Sequence, residues 1–403
     1  EQVMREMIQV GMADGKQTLL LGNEVIDLSA VRDVIFIAIG KCATEAAAVA
    51  EDVLGERISR GVVVDVKVCP PSKTGRIRTF CGTHPLPSEE NLHAAEAIVA
   101  MLQGLTENDL VIFAVSGGGS TLLFLPQDPA SREEVDIFDI LTREGASIEE
   151  LNTVRKHISY ARGGWLAKDA YPARVVSFLF SDVPTDNLSF IASGPTLKDS
   201  STVDDAAAVL ERFGVLKTCT IEQCGLIETP KEDKYFMRVT NILATSNMRA
   251  LKAMQRSAGC MGFRAEIRDA RLSGEANAVA AMVTAALHAA PPHSVLLWGG
   301  ETTVTATGKG EGGRNLQLSL AALASVAEGE VILSLATDGR DHGPYAGALC
   351  DIITKNAIVN AGLDASKFLE ENDSYPLFTK IGNYLMTGDT GSNVSDVVIA
   401  LKL

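Results

Sequence analysis

Residues 33–41 read DVIFIAIGK and residues 110–120 read LVIFAVSGGGS. Each is a short unbroken apolar run that stops at glycine and a polar residue, just before a segment of helical period. A strand covered by helices on both faces needs such a run, because neither face meets water. The same punctuation recurs at 62–68 (VVVDVKV), 174–180 (RVVSFLF), 240–245 (TNILAT), 294–298 (SVLLW), 302–307, 331–336 (VILSLA) and 396–402. Helices are predicted between these runs at 41–54, 88–103, 148–160, 203–213, 248–258, 274–290, 314–327 and 353–361. Strands alternating with helices give an α/β protein with a largely parallel sheet. The period weakens between about 214 and 238, so the boundary is drawn near 235, giving domains 1–235 and 236–403.

The composition excludes several functions. With 36 Lys and Arg against 51 Asp and Glu, the net charge of −15 repels a phosphate backbone, and no dense basic run reverses it, so nucleic acid is not an expected partner. Neither a secretory leader nor an apolar run of about 18 residues is read, so no membrane contact is expected. Seven scattered cysteines without a CxxC pair read as free thiols. The expected compartment is the cytoplasm, and a homodimer is left open.

The chemistry collects where the strands end: AIGK, AVSGGGS, LFSDVPTD, LATSN, LWGGET and LATDGRD. Ligands of open α/β sheets bind beyond the carboxyl ends of strands, where amides and helix dipoles favour anions. In Ser116-Gly117-Gly118-Gly119-Ser120, three glycines let backbone wrap a phosphate, although the stretch is neither a Walker A loop nor GxGxxG; a tight strand-to-helix turn would use the same residues. Lys41 opens a helix of alanines, where it can reach a phosphate or lie solvated. Asp182 and Asp186 stand four apart in a Pro-containing loop and suit Mg²⁺ or a base on a substrate hydroxyl; as alternatives, they cap or form a turn. In 308–315, GKGEGGRN, four glycines surround Arg314, whose guanidinium can fork onto phosphate or carboxylate. Glu301, Asp338, Asp341, Asp389 and Asn393 add acidic and small residues after the later strands. Ser147 with Glu150 forms a capping-box signature that fixes the helix carrying Arg155, Lys156 and His157. His84, in THPLPS, is either a cleft residue or a turn.

Several strings together resemble a family. GTHPLPSEENLHAAEAI, AVSGGGSTLL, ELNTVRKHIS with GGWLA, FSDVPTDNLSFIASGPT, GGETTVTATGKGEGGRN and TGDTGSNVSDVVIAL occur in the order found in two-domain glycerate kinases with a C-terminal MOFRL domain, over roughly residues 31–402. The resemblance implies a larger Rossmann-like three-layer N-terminal domain, a smaller α/β C-terminal domain and a site in the cleft between them. It implies ATP-dependent phosphorylation of D-glycerate, with 2-phosphoglycerate favoured as product and Mg²⁺ as metal. Matched by motif, Lys41, Asp182 and Arg314 become the expected catalytic residues. Ser116, Gly117, Gly118, Gly119, Ser120, Gly312, Gly313 and Asn315 become expected nucleotide contacts, with Arg155, Lys156 and His84 at the substrate and Asp182, Asp186 and Asp338 at the metal.

The pattern is not kept everywhere. Leu316 and Gln317 stand where Gln-Glu often follows Asn, Thr185 replaces a glycine, Ala161-Arg162 replaces Ile-Lys, and Asp338-Gly-Arg-Asp-His-Gly-Pro-Tyr345 replaces the usual Asp-Gly-Ile-Asp-Gly-Pro-Thr. A kinase for another small hydroxy acid is therefore an alternative. An NAD(P)H-dependent hydroxypyruvate reductase is another, disfavoured by the missing GxGxxG. A non-catalytic sensor of a sugar phosphate or nucleotide is the third.

Overall fold

The computed structural model describes residues 1–13, 15–67, 70–127, 133–181, 187–215, 225–391 and 393–403. The chain is an α/β protein of two compact units, Glu1–Ser181 with Asn187–Ala244, and Thr245–Leu403.

The first unit is built on a six-stranded sheet with spatial order Ile77–Cys81, Ile58–Asp65, Val34–Ile39, Leu110–Val115, Arg174–Phe180, Val239–Thr245. Counted in chain order within this sheet the strands run 3-2-1-4-5-6, the doubly wound Rossmann arrangement. The first five are paired parallel. Every residue of Val34–Ile39 and Leu110–Val115 is buried, which is why their sequences show no alternation. The strand order reverses between these two, and their ends are level, Ile39 lying opposite Val115. Before them the chain forms a three-stranded antiparallel sheet, Ile8–Ala13, Lys16–Leu21 and Glu24–Asp27, whose Ile8, Leu19, Leu21 and Ile26 share a core with Phe36 and Ala38.

Val239–Thr245 closes the first sheet, so the division between units falls at Ala244 and Thr245, later than the boundary drawn near 235. The second unit holds a six-stranded mixed sheet ordered Arg264–Leu272, Ser294–Gly300, Asp396–Lys402, Glu330–Ala336, Gly347–Asp351, Tyr384–Leu385. Only its first pair is parallel; the other four are antiparallel. The expectation of a largely parallel sheet thus holds for the first unit and fails for the second. An unbroken apolar run reports burial of both faces, and it carries no information on the direction of the neighbouring strand.

The strand expected at 302–307 is absent. After Gly300, with φ +142, the chain leaves the sheet apart from a single bridge between Glu275 and Thr303. Thr305 N and Oγ1 donate to the Glu275 carboxylate at 3.1 and 2.7 Å, so the β-branched threonines there serve a loop. Tyr345, one of the departures from the family pattern, lies buried between Tyr375 and Tyr384, with ring centroids at 4.7 and 3.8 Å. No helix among the described residues is long and apolar enough to cross a membrane.

Candidate active site

At the switch point of the first sheet, the turns after Ile39 and Val115 are bound to each other. Ser116 N donates to Ile39 O at 2.8 Å, and Lys41 N donates to Gly117 O at 3.0 Å. Cys42 N donates to Ser116 Oγ at 3.2 Å. Gly40 has φ +112, and a Cβ there would lie 2.3 Å from Ser116 Oγ and 2.6 Å from Ser116 O. Gly118 has φ +81, and its face lies against Lys41 Cγ (3.4 Å) and His84 Cδ2 (3.5 Å). Glycine at both positions lets two backbones and a lysine stem occupy one small volume. The expected residues Lys41, His84 and Ser116 to Ser120 are therefore brought together in the first unit.

Among the described residues, the Lys41 ammonium makes no ion pair or hydrogen bond. His84 is held below the usual histidine range, first by partial desolvation of its ring and then by the positive charges of Lys41 and Arg155, all of which favour the neutral ring. The Arg155 charge is thus felt at His84. Arg155 stands in the helix Ile148–Lys156, stacks on Phe138 at 4.5 Å and has no hydrogen-bonding partner for its guanidinium among the described residues. Burial, and then the neighbouring Arg162 charge, lower it to about 10. Lysine and arginine side chains that are partly buried and lack a carboxylate are costly unless an anion joins them.

Lys156, the next residue, is in the opposite situation. It is buried and its Nζ lies 3.0 Å from buried Asp199, which also accepts from Ser201 Oγ at 2.7 Å. His157 is fully buried, with Nδ1 2.8 Å from Ile227 O. Three successive residues thus part ways: Arg155 stacks on Phe138, while its two successors enter the core.

Sequence reasoning assigned no role to Asn152 or Ser193. Ser120 Oγ lies 2.9 Å from Ser193 Oγ, which donates to Asn152 Oδ1 at 2.9 Å. Asparagine is a poor helix former, and its place three residues before Arg155, on the same face, was the available signal. Asp182 and Asp186 lie outside the described residues.

In the second unit Arg314 begins the helix Arg314–Ala322. Its Nε and Nη2 fork onto Asp396 at 2.5 and 3.0 Å, and Nη2 lies 3.1 Å from Glu301. Burial opposes its charge, but these carboxylates hold it well above the usual arginine range. Asp396 was not anticipated; its only mark in the sequence is an acidic residue opening a strand. The glycine loop is pressed against protein: Cβ atoms at Gly312 and Gly313 would lie 2.2 Å from Ser374 Oγ and 2.3 Å from Asp341 Cγ. Asn315 is buried, accepting from Ser334 Oγ at 2.6 Å and donating to Asp341 at 3.3 Å. The Asp338 carboxylate accepts from Arg340 N at 3.0 Å. Among the described residues no three His, Cys, Asp or Glu side chains gather as a metal site.

The family description "Domain of unknown function (DUF4147)" matches residues 2–223, and "MOFRL family" matches residues 294–396. The D-glycerate 2-kinase of Thermotoga maritima is 37% identical over 380 residues, covering 91% of this chain and 90% of that protein. The chain belongs to the glycerate kinase family. The glycerate 2-kinase of Pyrococcus horikoshii is 38% identical over 390 residues, covering 91% of this chain and 87% of that protein. The crystal structure of the Thermotoga maritima glycerate kinase superposes with a TM-score of 0.86 at 36% identity, over 93% of each chain. The protein is thus a kinase-type enzyme with the DUF4147 and MOFRL regions of its family.

Proposed function

We propose that this protein transfers a phosphoryl group from ATP to D-glycerate, with 2-phosphoglycerate as product. The observation that carries this reading is the switch-point cradle, in which two interlocked glycine turns lie beside a lysine, with an arginine whose charge reaches His84, neither cation being paired among the described residues. Amides without obstructing Cβ atoms and two cations that make no ion pair among the described residues suit a polyphosphate and a small carboxylate. Phosphoryl transfer needs little covalent help from the protein, so positioning and charge neutralisation are what the residues supply.

In this reading the Gly117 to Gly119 amides hold phosphate oxygens and Lys41 offsets the charge that develops on the transferring group. Arg155 pairs with the substrate carboxylate, and neutral His84 donates or accepts at the same site. Lys156 keeps the helix in place through Asp199. Arg314 is assigned to phosphoryl charge, with Asp396 and Glu301 orienting its fork and Gly312, Gly313 and Asn315 fixing its helix. Mg²⁺ would shield the phosphates, with Asp182, Asp186 or Asp338 as its protein carboxylates, one or two being sufficient.

The test is ADP formation by purified protein with ATP, Mg²⁺ and D-glycerate, and the product's phosphate position read by NMR. Activity is expected to require D-glycerate and to vanish on chelation of Mg²⁺. Lys41→Ala and Arg155→Ala are expected to separate: the first lowers kcat by on the order of 10²-fold, the second mainly raises KM for D-glycerate. ADP release independent of glycerate in a cooperatively melting protein overturns the reading, and NADH oxidation with hydroxypyruvate would replace it.

A further inference from the structure

We propose that Ser120 selects the substrate: its hydroxyl oxygen accepts a hydrogen bond from a hydroxyl of the small acid, instead of donating one to a nucleotide phosphate. This rests on the kinase reading above and deepens it.

A serine hydroxyl carries one proton and two lone pairs, so what it offers outward depends on where its proton is spent. The carbonyl of Ile148 can only accept, and Asn152 Nδ2 lies 3.0 Å from it. This turns the amide so that Oδ1 faces Ser193, whose Oγ donates to it at 2.9 Å. Ser193 has then spent its only proton. Its oxygen also lies 2.9 Å from Ser120 Oγ, and the proton for that bond can come only from Ser120. Ser120 donates inward, which leaves lone pairs on its partly exposed side. A phosphate oxygen, itself only an acceptor, is repelled there; a substrate O–H completes the chain.

The relay is held rigidly. Asn152 and Ser193 are buried. Ala192, Ser193 and Gly194 have successive φ values of 49°, 57° and 63°. The carbonyls of Ser193, Gly194 and Pro195 accept from Gly163, Gly164 and Leu166 N–H at 2.9, 2.9 and 3.1 Å. Three backbone bonds over-determine an otherwise costly turn, the condition under which strained backbone persists at functional sites. Asn152 also lies one turn from Arg155, so one helix orients both the polarity of Ser120 and the cation assigned to the carboxylate. A hydroxy acid offers the matching pair of groups.

The experiment measures KM for D-glycerate and for ATP in wild type, Ser120→Ala and Ser193→Ala. It also measures binding of 3-hydroxypropanoate, which lacks the 2-hydroxyl, and D-lactate, which lacks the 3-hydroxyl. Binding is read as competitive inhibition and as a shift in melting temperature, so loss of turnover does not end the test. Ser120→Ala is expected to raise KM for D-glycerate about 10-fold and leave KM for ATP unchanged. One analogue should lose affinity equally while the other, lacking the recognised hydroxyl, binds both enzymes alike. Ser193→Ala, which frees the Ser120 proton, is expected to move the same parameter in the same direction, and it carries the test if Ser120→Ala does not melt cooperatively. A rise in KM for ATP with that for glycerate unchanged, rescue of Ser120→Ala by added Mg²⁺, or equal effects on both analogues overturns the proposal. Wild type without glycerate-dependent ADP formation and without glycerate-induced stabilisation refutes the kinase reading itself.

Discussion

At Gly40 the chain has no room for a side chain, and the backbone is in a region that other residues rarely adopt. Gly40→Ala is expected to destabilise by on the order of 3 kcal/mol, combining backbone strain with the clash against Ser116. Gly55 also has a positive φ, +54 with ψ −125, but nothing lies within 4 Å of its Cβ position; Gly55→Ala should therefore cost backbone strain alone, about 1–2 kcal/mol. Chemical denaturation of both variants checks this, and equal losses would show that the interlocked turns tolerate a methyl group. Neighbouring cations differ just as sharply: among the described residues Arg155 makes no ion pair, while Lys156 is neutralised by buried Asp199. Burial opposes the Asp199 charge, but hydrogen bonds from His157, Ser201 and Lys156 outweigh it and hold the carboxyl well below the usual range. A depressed carboxyl contributes stability above the unfolded value of about 3.9, and the contribution is lost as pH falls through the folded value. Asp199→Asn is therefore expected to cost about 3 kcal/mol at pH 7 by leaving Lys156 buried and unpaired. Its melting temperature should fall less steeply than that of wild type below pH 4; parallel curves would remove Asp199 from the acid response.

The helix Ile148–Lys156 shows how one short element serves both stability and the site. Ser147 Oγ accepts from Glu150 N at 3.3 Å, and the Glu150 carboxylate accepts from Ser147 N at 2.8 Å. This box was legible as Ser-x-x-Glu, and the helix begins where it says. Its buried face, Val154 with nearby Ile158, packs on Ile137, Leu141 and Leu210. Ser147→Ala is expected to lower stability by about 1 kcal/mol, and to raise KM for D-glycerate more than KM for ATP, because the same helix carries Asn152 and Arg155. An unchanged KM ratio would separate the cap from the site. Strand direction was not legible at this scale. The runs at 294–298 and 396–402 are as apolar as those at 33–39 and 110–115, yet the first pair is antiparallel and the second parallel. The threonines of 302–307 have the composition of a strand, and only the Glu275 carboxylate across the loop shows why they are not one.

Across the whole molecule each unit has its own core, one around Phe36, Ala38 and Phe178, the other around Trp298, Leu316 and Phe378. The last strand, Asp396–Lys402, lies between Ser294–Gly300 and Glu330–Ala336 and pairs with both. Truncation after Ser395 therefore splits the second sheet and removes the Arg314 partner, while every strand of the first sheet remains. Such a variant is expected to lose the melting transition of the second unit and to leave, under limited proteolysis, a resistant fragment ending near residue 244. Wild-type melting by the truncated chain would show that the strand is dispensable. The sequence by itself determined the α/β class, the positions of the strand ends and the Gly-Lys and Ser-Gly-Gly-Gly-Ser turns, because burial, helical period and glycine leave local marks. Only the tertiary structure decided which strands are parallel, that Val239–Thr245 belongs to the first sheet, that Lys156 pairs with Asp199 while Arg155 has no ion-pair partner among the described residues, and that Ser193 and Asn152 stand behind Ser120. Those facts depend on contacts between residues far apart in the chain, and no local pattern of residues encodes them.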